Sequence, residues 1–318
     1  LQYPQHQRMK LNGCYNDGDE FKKSLIKAEK LNNSNFIWMR DDLNKNDPLF
    51  PKRRNILLQL RKIILQGHKK IFFYFSGHGY SRVDYNRDEL KLTNSLDSQE
   101  LVKINASNKD SCLVTNEYNR ASLILDDELF RYMTLLKRSQ KFYGFTDCCH
   151  SGTMFDLTYV NAVKYDGDFN SISSNSPLDK RLTLAKQKCS LVSSHYPNKI
   201  NKLAGEVYLI SGCRDKQYSY ESYQNGKVRG HFTYNLCKIL DSSQIENYSM
   251  KDIVYLTTSL INNKSQVPVC SSSESKDLDE VKPWKSVKPP PYLYYRMKYG
   301  RYWWLILLLR RRRRRRRR

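Results

Sequence analysis

Two stretches of this chain end in residues able to do acyl-transfer chemistry. Lys69–Gly79 reads KKIFFYFSGHG, and Lys141–Asp156 reads KFYGFTDCCHSGTMFD. Each holds a short apolar and aromatic run, long enough for a buried parallel strand, and each breaks off into small polar residues. The first delivers His78 and the second Cys149. In open α/β sheets the ligand crevice lies beyond the carboxyl ends of the strands. Adjacent strands would therefore bring an imidazole and a thiol to one crevice, which is what a cysteine protease requires. A thiol becomes a strong nucleophile when a neighbour takes its proton, and histidine titrates near neutrality. Gly77 and Gly79 flank the histidine and let a substrate approach the backbone closely. Two plainer readings stand beside this one. A cysteine after a strand is often a small buried hydrophobe. Cys148, Cys149, His150 and His78 are all possible zinc ligands, but adjacent cysteines share one tetrahedral ion poorly and the chain has no Cys-x-x-Cys spacing.

The elements that must carry these residues alternate between strand and helix. Helical periodicity predicts Phe21–Leu31, Arg54–Leu65, Asp126–Leu136, Gly230–Leu240 and Asp252–Ile261. Strands are predicted at Phe36–Met39, Ile71–Phe75, Phe142–Thr146, Val207–Ile210 and Val267–Val269. Such alternation gives an α/β fold, a mostly parallel sheet with helices on both faces. Residues 80–119 read as loop with short hairpin elements. Residues 164–203, rich in Ser, Asn, Lys and Asp, read as a flexible linker, and residues 272–318 as a polar, Pro-rich tail.

Eight cysteines without repeating spacing, and an opening LQYPQHQRMK with no apolar run, favour free thiols in a reducing, cytoplasmic compartment over a disulfide framework. The formal charge is +23, of which nine charges are the run Arg310–Arg318. Such a run could hold nucleic acid or anionic lipid, although no aromatic-interleaved basic motif accompanies it and a solvated tail is the plainer reading. No specific nucleic-acid partner is expected. Tyr302–Leu309 is apolar for eight residues, well short of the roughly 20 that span a bilayer, so no transmembrane segment is expected.

SGHG, followed 71 residues after its histidine by the Cys149 of DCCHSG, resembles the metacaspases, in the caspase-like clan of cysteine peptidases. Further segments agree in order: NGCYND at Asn12–Asp17, SLILDDEL at Ser122–Leu129, YLISGCRDKQ at Tyr208–Gln217 and GHFTY at Gly230–Tyr234. The resemblance implies a three-layer caspase-type fold, with a large-subunit-like part over residues 11–163 and a small-subunit-like part over 204–271. It implies His78 as general base and Cys149 as nucleophile, with the backbone N–H groups of Gly79 and Cys149 on the oxyanion. It implies cleavage after Arg or Lys, read by Asp17, Asp147 and Ser76, since a carboxylate pair suits a guanidinium. Protein or peptide substrates with a basic residue at the cleavage site follow.

Calcium as an activator is implied as well, on Asp126, Asp127 and Asp156 with Asp97 as a weaker fourth ligand; hard carboxylate oxygens suit that ion. Read without the family, Asp126 and Asp127 cap their helix. Autocleavage is expected in the 164–203 linker, at Lys164, Lys180, Arg181, Lys186 or Lys188. A monomer is implied. The chain departs from the family in three places. The acidic loop after the histidine is reduced to Asp84–Glu89 and Asp97, and Gln217-Tyr218-Ser219 stands where the family has Gln-Thr-Ser. Residues 1–10 are polar where the family has a central apolar strand, so the first strand is missing or degenerate. These departures keep open a second function, a catalytically impaired homologue acting as an interaction module.

Overall fold

The structure, a computed structural model, describes residues 1–83, 109–165, 169, 173, 175–195 and 203–285. Its centre is a six-stranded sheet. The strands are β1 (Lys70–Ser76), β5 (Lys141–Asp147), β6 (Tyr159–Tyr165), β7 (Cys189–His195), β8 (Glu206–Ser211) and β11 (Val269–Ser272), in the spatial order β1-β5-β8-β11-β6-β7. β1, β5 and β8 run parallel. β11 runs against both β8 and β6, and β7 against β6. A small sheet joins β2 (Gly79–Val83), β3 (Lys109–Leu113) and β4 (Ile124–Leu125), and β9 (Glu221–Gln224) pairs with β10 (Lys227–Gly230) as a hairpin.

Alternation along the central strands builds a core on each face. Tyr143, Phe145, Tyr208 and Ile210 face one way, against α1 (Cys14–Glu29), α5 (His231–Leu240) and α6 (Met250–Ile261). Phe142, Val207 and Leu209 face the other way, against α2 (Arg53–Leu65) and α3 (Asp126–Met133). Strands buried on both sides need apolar residues at every position, which is why these runs read as continuous.

Several expectations are corrected. α1 begins at Cys14 instead of Phe21: its polar first turn lacks apolar periodicity, but Asp17 lies where the helix N-terminus favours an acid. Phe36–Met39 forms no strand. β6 and the β9–β10 hairpin were not expected. The linker expected over 164–203 contains α4 (Leu178–Lys188) and β7, with Arg181 and Ala185 buried. The tail expected from residue 272 starts later, since Leu278, Val281 and Trp284 are buried in the core and the compact unit runs to Trp284. Tyr302–Leu309 and Arg310–Arg318 lie outside the described residues.

Among the described residues β1 is the edge of the sheet, and residues 1–12 hold only a short 3-10 turn, Gln7–Met9. A cavity of about 180 Å³ separates the Phe72–Ser76 edge from Phe36–Arg40.

Candidate functional site

The site forms where β1 and β5 end together. Ser76 and Asp147 are partners in the last rung of that ladder, and Gly77 N donates to the Asp147 carbonyl at 3.3 Å. Two residues further on come His78 and Cys149, on facing loops. A Cβ placed on Gly79 would lie 1.8 Å from the Cys149 carbonyl oxygen, so only glycine lets the loops meet.

His78 is half-buried and well held. Its backbone N–H donates to the Tyr3 hydroxyl at 2.9 Å, its carbonyl accepts from Val114 N at 3.0 Å, and its Nε2 lies 2.7 Å from the Met9 carbonyl. A carbonyl only accepts, so Nε2 carries the proton and the neutral ring keeps its lone pair on Nδ1. Burial, the dominant cause, holds the imidazole below its ordinary pKa. Tyr3 is fully buried, its ring 4.8 Å from the imidazole, and its hydroxyl donates onward to the Val114 carbonyl at 2.7 Å. Asp41 anchors this segment by accepting from Tyr3 N, Tyr15 Oη and Asn116 Nδ2.

Cys149 is partly exposed, with Sγ 4.0 Å from the Ser219 carbonyl. Burial pushes its thiol above the ordinary value, so the resting group is a neutral thiol that needs a base. His150 takes the left-handed backbone at φ 52°, turning the chain directly after Cys149. Its Nδ1 lies 2.5 Å from the Asp215 carbonyl, so the ring is committed away from catalysis. Asp215, which sequence reasoning missed, is buried and accepts from Thr153 N and Oγ1, steadying the turn. Cys148 is 1% exposed, a packing residue, with its carbonyl accepting from Ser151 Oγ.

Next to the Ser76–Asp147 rung sit two buried carboxylates. Asp17, in the first turn of α1, accepts from Gly230 N at 2.9 Å and Ser76 Oγ at 3.3 Å. Asp147 accepts from Ser219 Oγ at 2.5 Å and from Thr233 N and Oγ1 at 3.0 and 2.6 Å. A Cβ on Gly230 would lie 2.2 Å from Asp147 Oδ2 and 3.1 Å from Asp17 Oδ2, so both acids press on one glycine. Burial, then the neighbouring Asp147 charge, lifts Asp17 to about 8; burial also raises Asp147. Two adjacent buried acids without a cation cannot both ionise cheaply, so they hold a proton between them. Gly230 and Thr233 lie within a segment that carries the family resemblance and Ser219 two residues beyond another, yet nothing in their types marks them as neighbours of the carboxylates.

The calcium set is less complete. Asp126, 1% exposed, accepts from Ser111 N with Oδ2 and from Asp127 N with Oδ1. Asp156 is buried at φ 50°, its N–H donating to the Thr153 carbonyl, and Ser111 Oγ lies 3.2 Å from Thr153 Oγ1. Asp126 and Asp156 thus share one neighbourhood, but Asp126 spends both oxygens on backbone N–H groups. Among the described residues no three His, Cys, Asp or Glu side chains gather as a metal-holding group. Asp97 lies outside the described residues.

The autocleavage candidates do not fall in open loops. Lys164 is on β6, and Lys180, Arg181, Lys186 and Lys188 are on α4. Arg181 is 4% exposed and donates to the carbonyls of Ser259 and Ser173, and Lys186 pairs with Asp252 at 2.7 Å. A protease needs an extended substrate, so the four helical sites are not presented for cutting in the fold, while Lys164 is extended but paired in the sheet with Ser190 of β7.

Residues 1–158 match the sequence model of the metacaspase, peptidase C14 domain. Over 278 residues the chain is 27% identical to Metacaspase-5 of Trypanosoma brucei brucei, covering 84% of this chain and 48% of that protein. It is 24% identical to Metacaspase-1 of Eremothecium gossypii, covering 85% and 62%, and 27% identical to Metacaspase-5 of Trypanosoma cruzi, covering 89% and 58%. The chain therefore spans about half to two thirds of the length of these relatives. A solved protein, GSU0716 from Geobacter sulfurreducens, aligns at a TM-score of 0.43 and 17% identity, over 75% of this chain and 80% of that one. No helix among the described residues is long and apolar enough to cross a membrane.

Proposed function

We propose, for a chain whose residues 1–158 belong to the metacaspase peptidase C14 domain family, that it is a cysteine endopeptidase cutting after Arg or Lys. The observation that carries the reading is the shared strand end: His78 and Cys149 each two residues past the Ser76–Asp147 rung, above the buried Asp17–Asp147 pair.

The substrate's cationic side chain enters between Asp17 and Asp147, displacing the proton they hold and making charge-assisted hydrogen bonds. This sets the next carbonyl beside Cys149. His78 takes the thiol proton on Nδ1, because Nε2 is committed to Met9 O. The thiolate adds to the carbonyl carbon, and the backbone N–H groups of Gly79 and Cys149 hold the resulting oxyanion. His78 returns the proton to the leaving amine, which departs and leaves an acyl-enzyme. The same imidazole then deprotonates a water that hydrolyses the thioester and returns that proton to the departing Cys149 sulfur, restoring the neutral thiol and the neutral ring. The raised Cys149 thiol fits a dyad in which proton removal accompanies attack, not a pre-formed ion pair.

Calcium stimulation rests on the family alone and enters no step above. Its test is a calcium titration of activity: a stimulation present in the parent and lost in Asp156→Asn supports it, and equal curves reject it. Affinity labelling tests the main reading. A peptidyl-arginyl chloromethyl ketone is expected to alkylate Cys149, and the aspartyl counterpart not to. Labelling by both alike, or labelling confined to Cys148, would reject the proposed specificity pocket.

A further inference from the structure

The helix α2 is apolar on two sides. Ile56, Leu57, Leu60 and Ile64 are buried against the sheet, yet Leu58 is 53% and Leu65 47% exposed. These two leucines are seven residues apart, two helical turns, so they stand on one line. Arg54, Arg61 and Lys62 fall three or four residues from one or the other, on the same side, and all three are exposed. A single exposed leucine needs no explanation. Two in helical register, framed by cations, make a second amphipathic stripe on a helix whose core face is already satisfied.

The neighbouring helix α3 widens the stripe. Arg61 lines two surface grooves, of about 510 and 340 Å³, one shared with Leu58 and Leu65, the other with Arg131 and Leu135. Leu135 is 39% exposed. The two helices are tied at both ends. Arg53 pairs with Glu128, and Gln140 Nε2 donates to the carbonyls of Ile64 at 3.1 Å and His68 at 3.0 Å. The Lys137 ammonium lies 3.8 Å from where a Cβ on Gly67 would sit. The face is therefore one fixed surface.

Its charge has one sign. Residues 51–76 contain seven Lys or Arg and no Asp or Glu, and residues 131–141 contain four and none. The acid that lines the second groove, Glu128, is taken by Arg53. Such a surface attracts phosphate, which lipid headgroups and nucleic acids share. The leucines decide between them. Nucleic acids are gripped by stacked aromatic rings and by side chains that hydrogen-bond base edges, and a row of leucines does neither. Leucines level with lysines and arginines suit the boundary between headgroups and acyl chains.

We propose that the outer face of α2 and α3 docks this chain on an anionic phospholipid surface, with Leu58, Leu65 and Leu135 inserted and Arg61, Lys62 and Arg131 on headgroup phosphates. Leu65 lies just before β1 begins, and His78 and Cys149 lie past the ends of β1 and β5, so docking leaves the dyad clear of lipid.

The test is co-sedimentation of the full chain with vesicles of equal parts phosphatidylserine and phosphatidylcholine, and with phosphatidylcholine alone. Partition onto the anionic vesicles should exceed that onto the neutral ones by about tenfold or more. The triple variant Leu58→Gln, Leu65→Gln, Leu135→Gln should lower the anionic partition about five- to tenfold. Arg61→Gln with Lys62→Gln should lower it about tenfold. Leu58→Phe with Leu65→Phe keeps the row apolar and should bind at least as well as the parent. Arg310–Arg318 is present in every one of these proteins. Binding that the leucine variant leaves unchanged therefore belongs to that run or to charge alone, and overturns the proposal. So does equal partition onto neutral vesicles, or a Phe variant as weak as the Gln variant. Duplex DNA bound more tightly than the anionic vesicles, and released by the Arg61 and Lys62 changes, would assign the face to nucleic acid and overturn it as well.

Discussion

Ser76 and Asp147 are side-by-side partners in the final rung of the β1–β5 ladder, and this pairing sets the register of the whole site. A one-residue slip would turn every side chain of one strand to the other face. It would part the serine from Asp17 and carry Asp147 away from Thr233 and Ser219. The dyad and the acidic pair are thus positioned by the same ladder, with the hydrophobic cores on both faces holding its register.

Gly230→Ala should empty the pocket of function with little loss of fold. The added methyl would lie 2.2 Å from Asp147 Oδ2, forcing that carboxylate to move. The expected result is a KM for an arginyl peptide raised about tenfold or more, about 1.4 kcal/mol or greater, with an unfolding midpoint that falls only slightly. Unchanged KM would show that Asp147 does not contact the substrate.

The raised acid pair makes binding and stability depend on pH in opposite senses. Below about 8 the free pair retains its proton, so KM for a cationic substrate should fall as pH rises toward 8 and then level. Folded Asp17 binds its proton more tightly than the unfolded carboxyl. The folded chain should therefore lose stability as pH rises from about 4, the unfolded value, through about 8. Asp17→Asn should flatten both profiles. The acid limb of kcat, measured with the pair occupied by substrate, should lie below the ordinary imidazole value, since burial lowers His78. Steady-state kinetics and chemical denaturation across pH 5 to 9 check all three.

Tyr3→Phe keeps the ring against His78 but removes the hydroxyl that joins His78 N to the Val114 carbonyl. Leaving those groups unsatisfied costs about 1–3 kcal/mol of stability. A loosened imidazole should lower kcat about tenfold with KM near the parent value. Equal loss in an unrelated destabilised variant such as Trp284→Ala would assign the effect to folding instead.

Trp284→Ala should destabilise the chain by about 3–5 kcal/mol. Its side chain is 2% exposed and lies 6.2 Å from the Phe72 ring and 6.0 Å from Phe145. A midpoint in urea shifted by less than the fitting error would return residues 272–284 to the status of a tail.

The sequence reveals most where chemistry and pattern coincide. His78 and Cys149 could be found because each follows an apolar run that had to be a buried strand. Asp17, Asp147 and Ser76 needed the family motifs, since a buried carboxylate looks in sequence like any capping acid. Met9, which fixes the histidine tautomer, acts through its carbonyl, and Ser219 and Thr233 act through hydroxyl and backbone groups common to every chain. No residue type signals such a role. The 164–203 segment reads in sequence as a linker because α4 and β7 bury only part of a polar composition: Leu178, Leu182 and Ala185 face the core among lysines and acids. Residues 272–284 misled for the same reason, contributing three core side chains from an otherwise polar run.

The central claim is that Cys149, served by His78, cuts after a cation held by Asp17 and Asp147. Its most direct measurement is hydrolysis of paired fluorogenic peptides ending in Arg or Asp, by the parent chain and by Cys149→Ala. The account predicts turnover of the Arg peptide alone, abolished in Cys149→Ala while that variant still binds the Arg peptide. Hydrolysis of the Asp peptide at a comparable rate, or Arg hydrolysis that survives in Cys149→Ala, would contradict it.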